Sequence, residues 1–527
     1  MFVHPFFIFN NRLLREAVAG AEDGSWLTIL LVSIYAAILV ALSFYGGHRW
    51  TLILRYLKAR KAQPGPKRTF ADDELPGITI QLPIFNEKYV IDRLLASIGS
   101  LDYPRDRLDV QVLDDSTDET VMLARRAVAR WRDRGLPVRH IHRKDRTGFK
   151  AGALENGLRS ARFDLIAVFD ADFCPEPDFL RRIVHYFSDP EVGVVQSRWG
   201  HLNREDSLLT KVQAMMLDGH FLVEHPARNR NGFFFNFNGT GGIWRRAAIE
   251  DGGGWQHDTL TEDLDLSYRA QMAGWKFIYD PSVVCPAELP VEMNAFKNQQ
   301  HRWAKGSIQV MKKILPEILR SDVPRRQKLE AFIHLTGNLC YLLMFVMCLM
   351  TLPMLMLRAR IMDGTMGVLI DGAIFLSATA SVIAFYAFSQ VVGYRDWPRR
   401  VLMVPMMLAV GIGLAVNQCK AVVEALIGHE TPFVRTPKYN QGAGTDRQAW
   451  LAKAYRGVRD MVPWIELAFA LYYSVTVIYA LVNGLYGTLP FLLLFLVGFW
   501  YVAVLSLFHG RSLRRSAAAP TPARAST

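Results

Sequence analysis

The chain has 527 residues, 51% of them hydrophobic, and a formal net charge of +12 at neutral pH. One soluble core does not absorb that much apolar side chain, so the surplus belongs in a bilayer and a purely soluble protein is excluded. Nucleic acid is excluded as a partner too: the basic residues crowd beside apolar runs with no zinc, helix-turn-helix or RNP-like pattern, which suits anionic lipid headgroups.

Residues 1–25 lack a basic start followed by a short apolar core and a small-residue cleavage site, and so do not read as a cleaved signal peptide. Residues 26–48 form the first expected transmembrane helix, and 49–75 form a basic linker. Glu22 and Asp23 precede that helix, whereas Arg49, Arg55, Lys58, Arg60 and Lys61 follow it, so the positive-inside bias makes 76–328 cytosolic. Further apolar runs at 331–357, 366–392, 464–482 and 489–508 are long enough to span. The segment 401–428 begins apolar but then carries Asn417, Gln418, Lys420 and Glu424. If it spanned, the basic loop 429–462 would face outward. It is therefore expected along the interface as an amphipathic helix, giving five spans, with a sixth left open. Residues 511–527 read as a disordered basic tail without a cyclic-dinucleotide domain. The expected protein is multi-pass, in the plasma or bacterial inner membrane. Five scattered cysteines without CxxC pairing indicate neither a disulfide framework nor a zinc site.

From Gly77 onward, β-rich runs alternate with amphipathic helices: 78–84 then 89–98, 109–113 then 119–131, 138–141 then 149–158, and 165–169 then 177–187. This predicts an α/β, Rossmann-like parallel sheet, in which ligands bind beyond the carboxyl ends of the strands. Asn86-Glu87, Asp114-Asp115 and Asp170-Ala-Asp172 fall there. No Walker loop or GxGxxG follows a strand, which argues against a nucleoside triphosphatase or a dinucleotide oxidoreductase.

These polar residues suit transfer from a nucleotide-activated donor. Asp170 and Asp172 at a strand end offer hard oxygens to a divalent cation on a diphosphate. Glu87 and Asp114 or Asp115 can accept hydrogen bonds from base and ribose, and Asp263 in Thr261-Glu262-Asp263 suits a general base. Lys150 and Arg302 can meet departing phosphates. Each cluster has a plainer reading as a helix cap, a first-turn acid or an interfacial anchor.

Taken in order, Asp114/Asp115, Asp170-Ala-Asp172, Thr261-Glu262-Asp263 and Gln299-Gln300-His301-Arg302-Trp303 resemble the D, DxD, TED, QxxRW signature of membrane-bound family 2 glycosyltransferases. The stretches 146–153, 237–244 and 299–303 look most like cellulose synthase-like mannan and glucan synthases and their bacterial relatives. The resemblance covers about Leu75 to Ile314 and implies a cytosolic GT-A domain inserted between transmembrane helices. It implies that Asp114 or Asp115 contacts the nucleotide and that Asp172 with Asp170 holds Mg²⁺ or Mn²⁺; together with Glu87, Lys150 and Asp170 from the reading above, these make up the expected nucleotide-binding set. Asp263, beside Glu262, would deprotonate the acceptor, and Gln299, Gln300, Arg302 and Trp303 would line the acceptor and pyrophosphate end. The implied chemistry is a single inverting displacement from UDP-glucose or GDP-mannose. Phe433-Val-Arg-Thr436-Pro-Lys438 resembles the gating loop FxVTxK, so a gating role passes to Phe433, Thr436 and Lys438; Arg435 departs from that pattern. A processive polysaccharide synthase that exports its product is the leading expectation. A synthase adding sugars to diacylglycerol or ceramide is the alternative. A transporter with a regulatory domain is disfavoured, because Asp371 and Glu466 are nearly alone as ionisable residues in the spans and Glu466 lies where it could snorkel.

Overall fold

The computed structural model describes residues 26–62, 64–361, 375–430, 435–440 and 461–518. Its centre is one seven-stranded sheet: β1 (Ile78–Ile84), β2 (Leu108–Asp114), β3 (Val138–His142), β4 (Leu165–Val168), β5 (Val192–His201), β6 (Gly242–Arg245) and β7 (Lys276–Ala287). The order is β3-β2-β1-β4-β6-β5-β7. The first four strands are parallel, as their alternation with helices predicts. β6 runs antiparallel to both β4 and β5, a reversal not foreseen in the sequence.

Strand periodicity explains why the sheet is buried on both faces. In β4, Leu165 and Ala167 enter one apolar cluster with Ile78, Ile80 and Leu82, while Ile166 and Val168 enter the other with Phe237 and Trp244. Successive side chains point to opposite faces, so a continuous apolar run suits a strand covered on both sides. β1 lies between β2 and β4, and the chain order reverses there. The carboxyl ends of β1, β2 and β4 therefore open a crevice.

The helix Met293–Arg320 carries the sheet domain onto the membrane segments. Its Ile308 packs against Val422 and Ala425, and Lys305 Nζ lies 3.0 Å from Glu424 Oε2. Among the described residues, four helices are long and apolar enough to cross a bilayer, over Thr28–Lys58, Arg325–Leu357, Val462–Val482 and Tyr486–His509. The expected span at 366–392 is described only from Phe375, as a helical segment running to Gly393; Asp371 lies outside the described residues.

Three details of the membrane region differ from expectation. The segment 401–428 is not one interfacial helix: Trp397–Gly413 and Ala415–Ile427 meet at a 45° bend. Its apolar half packs on the last helix through glycines: a Cβ on Gly413 would meet the Gly498 carbonyl oxygen at 2.4 Å, and one on Gly498 would meet that of Ala409 at 2.0 Å. Its Asn417 and Gln418 are buried in protein rather than turned to headgroups, and Asn417 Nδ2 donates to the Lys297 carbonyl at 2.9 Å. The last helix, Leu489–Ala518, continues into the stretch expected to be disordered.

Glu466 does not snorkel. Buried on Val462–Val482, it accepts from Lys297 Nζ at 2.7 Å, and Lys297 also reaches Ser506 Oγ at 3.3 Å. Three segments distant in sequence thus share one buried charge pair.

Candidate active site

The crevice collects side chains from all three strand ends. After β1, Glu87 is buried; Arg435 Nη1 lies 3.2 Å and Lys438 Nζ 3.7 Å from its Oε1. Burial raises the Glu87 pKa, with the two cations pulling against it. After β2 the two adjacent acids separate by role. Asp114 is fully buried behind the wall of the cleft, where it accepts from His140 Nε2 at 2.8 Å and from the Ser116 N–H at 2.8 Å. Burial would raise its pKa, but these bonds hold it below the usual carboxylate value. Asp115 faces the cleft in a bidentate pair with Arg143 at 2.8 and 2.6 Å. Asp115 is therefore the wall residue of the pair, and Asp114 supports it from behind.

After β4, Asp170 and Asp172 both line the cleft. Lys150 Nζ approaches Asp170 Oδ1 to 2.6 Å, and Lys438 pairs with Asp172. Burial acts against ionising Asp170, yet Lys150 and Lys438 bring its pKa below the ordinary value. Lys150 is the second residue of the helix Phe149–Arg159, which follows Gly148 in the left-handed region at φ 75°. It also donates to the Gly239 carbonyl at 2.9 Å.

Thr261 precedes the helix Glu262–Met272, whose first turn holds Glu262, Asp263 and Asp265. Gly306 on the long helix allows that turn to come close, since a Cβ there would meet the Thr261 side chain at 2.6 Å. Asp263 Oδ1 accepts the Leu264 N–H at 2.8 Å. Burial, reinforced by the neighbouring Glu262, pushes its pKa up to about 7, where a carboxylate becomes an effective base. Gln299, Arg302 and Trp303 occupy one helical face at i, i+3 and i+4 and close one side of the cleft. The Trp303 ring lies 6.4 Å from that of Trp199.

Residues 76–306 match the family model described as glycosyltransferase like family 2. Glucomannan 4-beta-mannosyltransferase 2 of Arabidopsis thaliana is 33% identical over 432 residues, 78% of each chain. The chain belongs to the family 2 glycosyltransferases. A second relative of this enzyme, glucomannan 4-beta-mannosyltransferase 1 of Oryza sativa subsp. japonica, is 38% identical over 321 residues, 59% of each chain. The fold is shared with mannosyltransferase PcManGT from Pyrobaculum calidifontis, solved with GDP-Man and Mn2+. That likeness has a TM-score of 0.50 at 23% identity and covers 75% of this chain and all of that one.

Of the residues singled out in the glycosyltransferase sequence, Glu87, Asp115, Lys150, Asp170, Asp172, Glu262, Asp263, Gln299, Arg302, Trp303, Thr436 and Lys438 line this single cleft. Asp114 and Gln300 do not; Gln300 follows Gln299 by one position and so points to another side of the helix. Phe433 lies outside the described residues. Arg435, set aside as a departure from a motif, pairs with Glu87. Glu288, which the sequence did not suggest, accepts the Tyr439 N–H at 3.0 Å and pairs with Arg93. The cationic loop 435–440 could have been matched to acids at strand ends by charge alone, but not to a particular acid.

The donor set fits a hard divalent cation. Among the described residues no three His, Cys, Asp or Glu side chains converge on a common point, so the protein offers the two carboxylates Asp170 and Asp172 on one turn. A cation such as Mg²⁺ commonly takes one or two carboxylates and completes its shell with water and substrate phosphates. The two ammonium groups now paired with these aspartates show that the turn attracts positive charge.

Proposed function

We propose that this glycosyltransferase moves mannose from GDP-mannose, with inversion, onto the end of a growing β-linked polysaccharide. The observation that carries the reading is the meeting of Asp263, the Asp170–Asp172 turn and the Gln299–Arg302–Trp303 face in one cleft. Relatives named as glucomannan 4-beta-mannosyltransferases support the sugar and the acceptor class, and UDP-glucose is the competing donor.

Glu87 and Asp115 accept hydrogen bonds from the nucleoside end. Asp170 and Asp172 would hold Mg²⁺ or Mn²⁺, which when bound supplies charge neutralisation for the diphosphate. Lys150 and Arg302 add fixed positive charge there, and Trp303 and Trp199 offer flat faces to the acceptor sugar. Asp263 takes the proton of the acceptor hydroxyl. That oxygen attacks the anomeric carbon from the face opposite the diphosphate, forming one C–O bond as the other breaks, so no covalent sugar–enzyme intermediate is needed. Thr436 and Lys438, on the loop over the cleft, serve as the gate. The cleft lies on the cytosolic side, and the membrane helices carry the product outward.

The test is incubation of the protein in lipid nanodiscs with Mn²⁺ or Mg²⁺ and radiolabelled GDP-mannose or UDP-glucose. Insoluble label released by a β-mannanase is expected. Label released only by a β-glucanase would replace the donor, and label confined to the lipid extract would replace the polymer by a glycolipid.

A further inference from the structure

The turn Asn238–Gly241 touches nearly every part of the site. The Gly239 carbonyl accepts from Lys150, Thr240 Oγ1 accepts the Asp170 N–H at 2.9 Å, and a Cβ on Gly239 would stand 2.8 Å from Asp263 Oδ2. Whatever holds this turn sets the distance between the base and the diphosphate turn. One anchor comes from β5: Gln196 Oε1 accepts the Asn238 N–H at 2.9 Å, and its amide nitrogen donates to the Thr240 and Gly241 carbonyls at 3.1 Å.

The other anchor is a relay of side chains that starts at Asn238, on the cleft wall, and runs behind it. Asn238 Nδ2 donates to His220 Nε2 at 2.9 Å, and His225 Nε2 donates to Asn238 Oδ1 at 2.7 Å. His220 sits on the π-helical turn Gly219–Glu224, and its Nδ1 donates to Glu224 Oε2 at 3.2 Å. Turns of this kind often mark functional positions. Glu224 also accepts from Arg228 Nε at 3.1 Å.

The bonds determine the protons. Glu224, ionised well below its usual range despite burial because Arg228 and His220 face it, requires the His220 proton on Nδ1. His220 Nε2 then accepts, which orients the Asn238 amide, and its oxygen faces His225. The opposite amide orientation would place the His225 proton on Nδ1, which is buried without a hydrogen-bond partner among the described residues. Burial, with His220 adding to it, lowers the His225 pKa and keeps the ring neutral. The relay runs on to the first membrane helix: Arg228 Nη1 lies 3.7 Å from Glu330 Oε2, and Glu330 lies 3.1 Å from His48 Nε2 and 2.5 Å from Arg55 Nη1.

We infer that Glu224, His220 and His225 are positioning residues for glycosyl transfer, acting through the Asn238 amide to hold the Asn238–Gly241 turn against Asp263 and Lys150. The inference rests on Asp263 being the base. The test compares His225→Phe, which removes the donor, with His225→Gln, whose amide can still donate to Asn238, and with Asn238→Asp, which keeps the shape but sets an oxygen against His220 Nε2. A misplacement near 1 Å costs on the order of 100-fold in rate, so kcat should fall about 10- to 100-fold in His225→Phe and Asn238→Asp. Donor KM should hold near wild type, and His225→Gln should recover most of the rate. Wild-type kcat in Asn238→Asp, which does not depend on refilling a buried ring site, overturns the inference. So does a Gln variant as slow as the Phe variant. Full activity in Asp263→Asn would instead overturn the assignment of the base, so the two failures are distinguishable.

Discussion

Asp263→Asn probes the centre of the reaction. The Leu264 N–H that bonds Asp263 Oδ1 at 2.8 Å can bond an asparagine oxygen equally well, so the helix start is preserved while the base is lost. A positioned general base contributes roughly 10²–10⁴-fold, so kcat should fall by that factor, or ~3–5 kcal/mol in barrier. Donor binding should change little. The pKa near 7 adds a second readout. Only the deprotonated carboxylate accepts the acceptor proton, so wild-type kcat/KM should fall about tenfold per pH unit below 7 and level off above it. The variant should lose that limb. Stability should move the other way. The folded carboxyl resists ionisation until about 7, whereas the unfolded one ionises near the ordinary aspartate value of 3.8. The wild type therefore loses stability as pH rises between these values, by an amount on the order of 4 kcal/mol. At pH 8 the variant should melt no lower than wild type. The assay is initial-rate transfer of labelled sugar across pH 5–9 in nanodiscs, with thermal unfolding in parallel. A pH limb near 7 that persists in the variant would refute the reasoning, as would loss of donor affinity equal to the loss of rate.

Gly239→Ala should lower kcat at least about tenfold with donor KM little changed: φ is +79° and the new Cβ meets Asp263 at 2.8 Å, so left-handed strain of ~1–2 kcal/mol adds to displacement of the base. A wild-type kcat would show that the turn does not touch the reacting geometry. Lys297→Met leaves Glu466 buried without its cation and should cost about 3–5 kcal/mol in unfolding, most of it regained in Lys297→Met/Glu466→Leu. A double variant no more stable than the single one would refute a coupled pair. Asp172→Ala should weaken Mn²⁺ binding seen by electron paramagnetic resonance in the presence of GDP, and chelation of wild type should abolish transfer until Mn²⁺ returns.

Much of this enzyme was legible in the chain because its chemistry is written in local patterns. The alternation of β-rich and helical runs predicted β1 to β4, and acids immediately after apolar strands must fall at strand ends, where open sheets bind ligands. Asp170 and Asp172 needed only that geometry to reach the cleft, whereas Asp263 comes from the first turn of Glu262–Met272; apolar length alone marked four of the helices suited to a bilayer.

What the chain could not disclose depends on partners far apart in sequence. Asp114 and Asp115 are chemically equal neighbours; His140 on β3 and Arg143 beside the cleft make one a support and the other a wall. The antiparallel β6 is defined by its pairing with β4 and β5, strands it follows at a distance in the chain, and the bend at Leu414 separates a half packed on the last helix from a half packed on Met293–Arg320. Arg435 looked like a mismatch until Glu87 faced it, and Glu466 looked like a boundary residue until Lys297 reached it. Residue type and spacing determined which groups were available for charge, metal and proton chemistry. Only the tertiary packing decided which of them meet, because burial and a counter-charge, supplied by other segments, set each group's protonation and orientation.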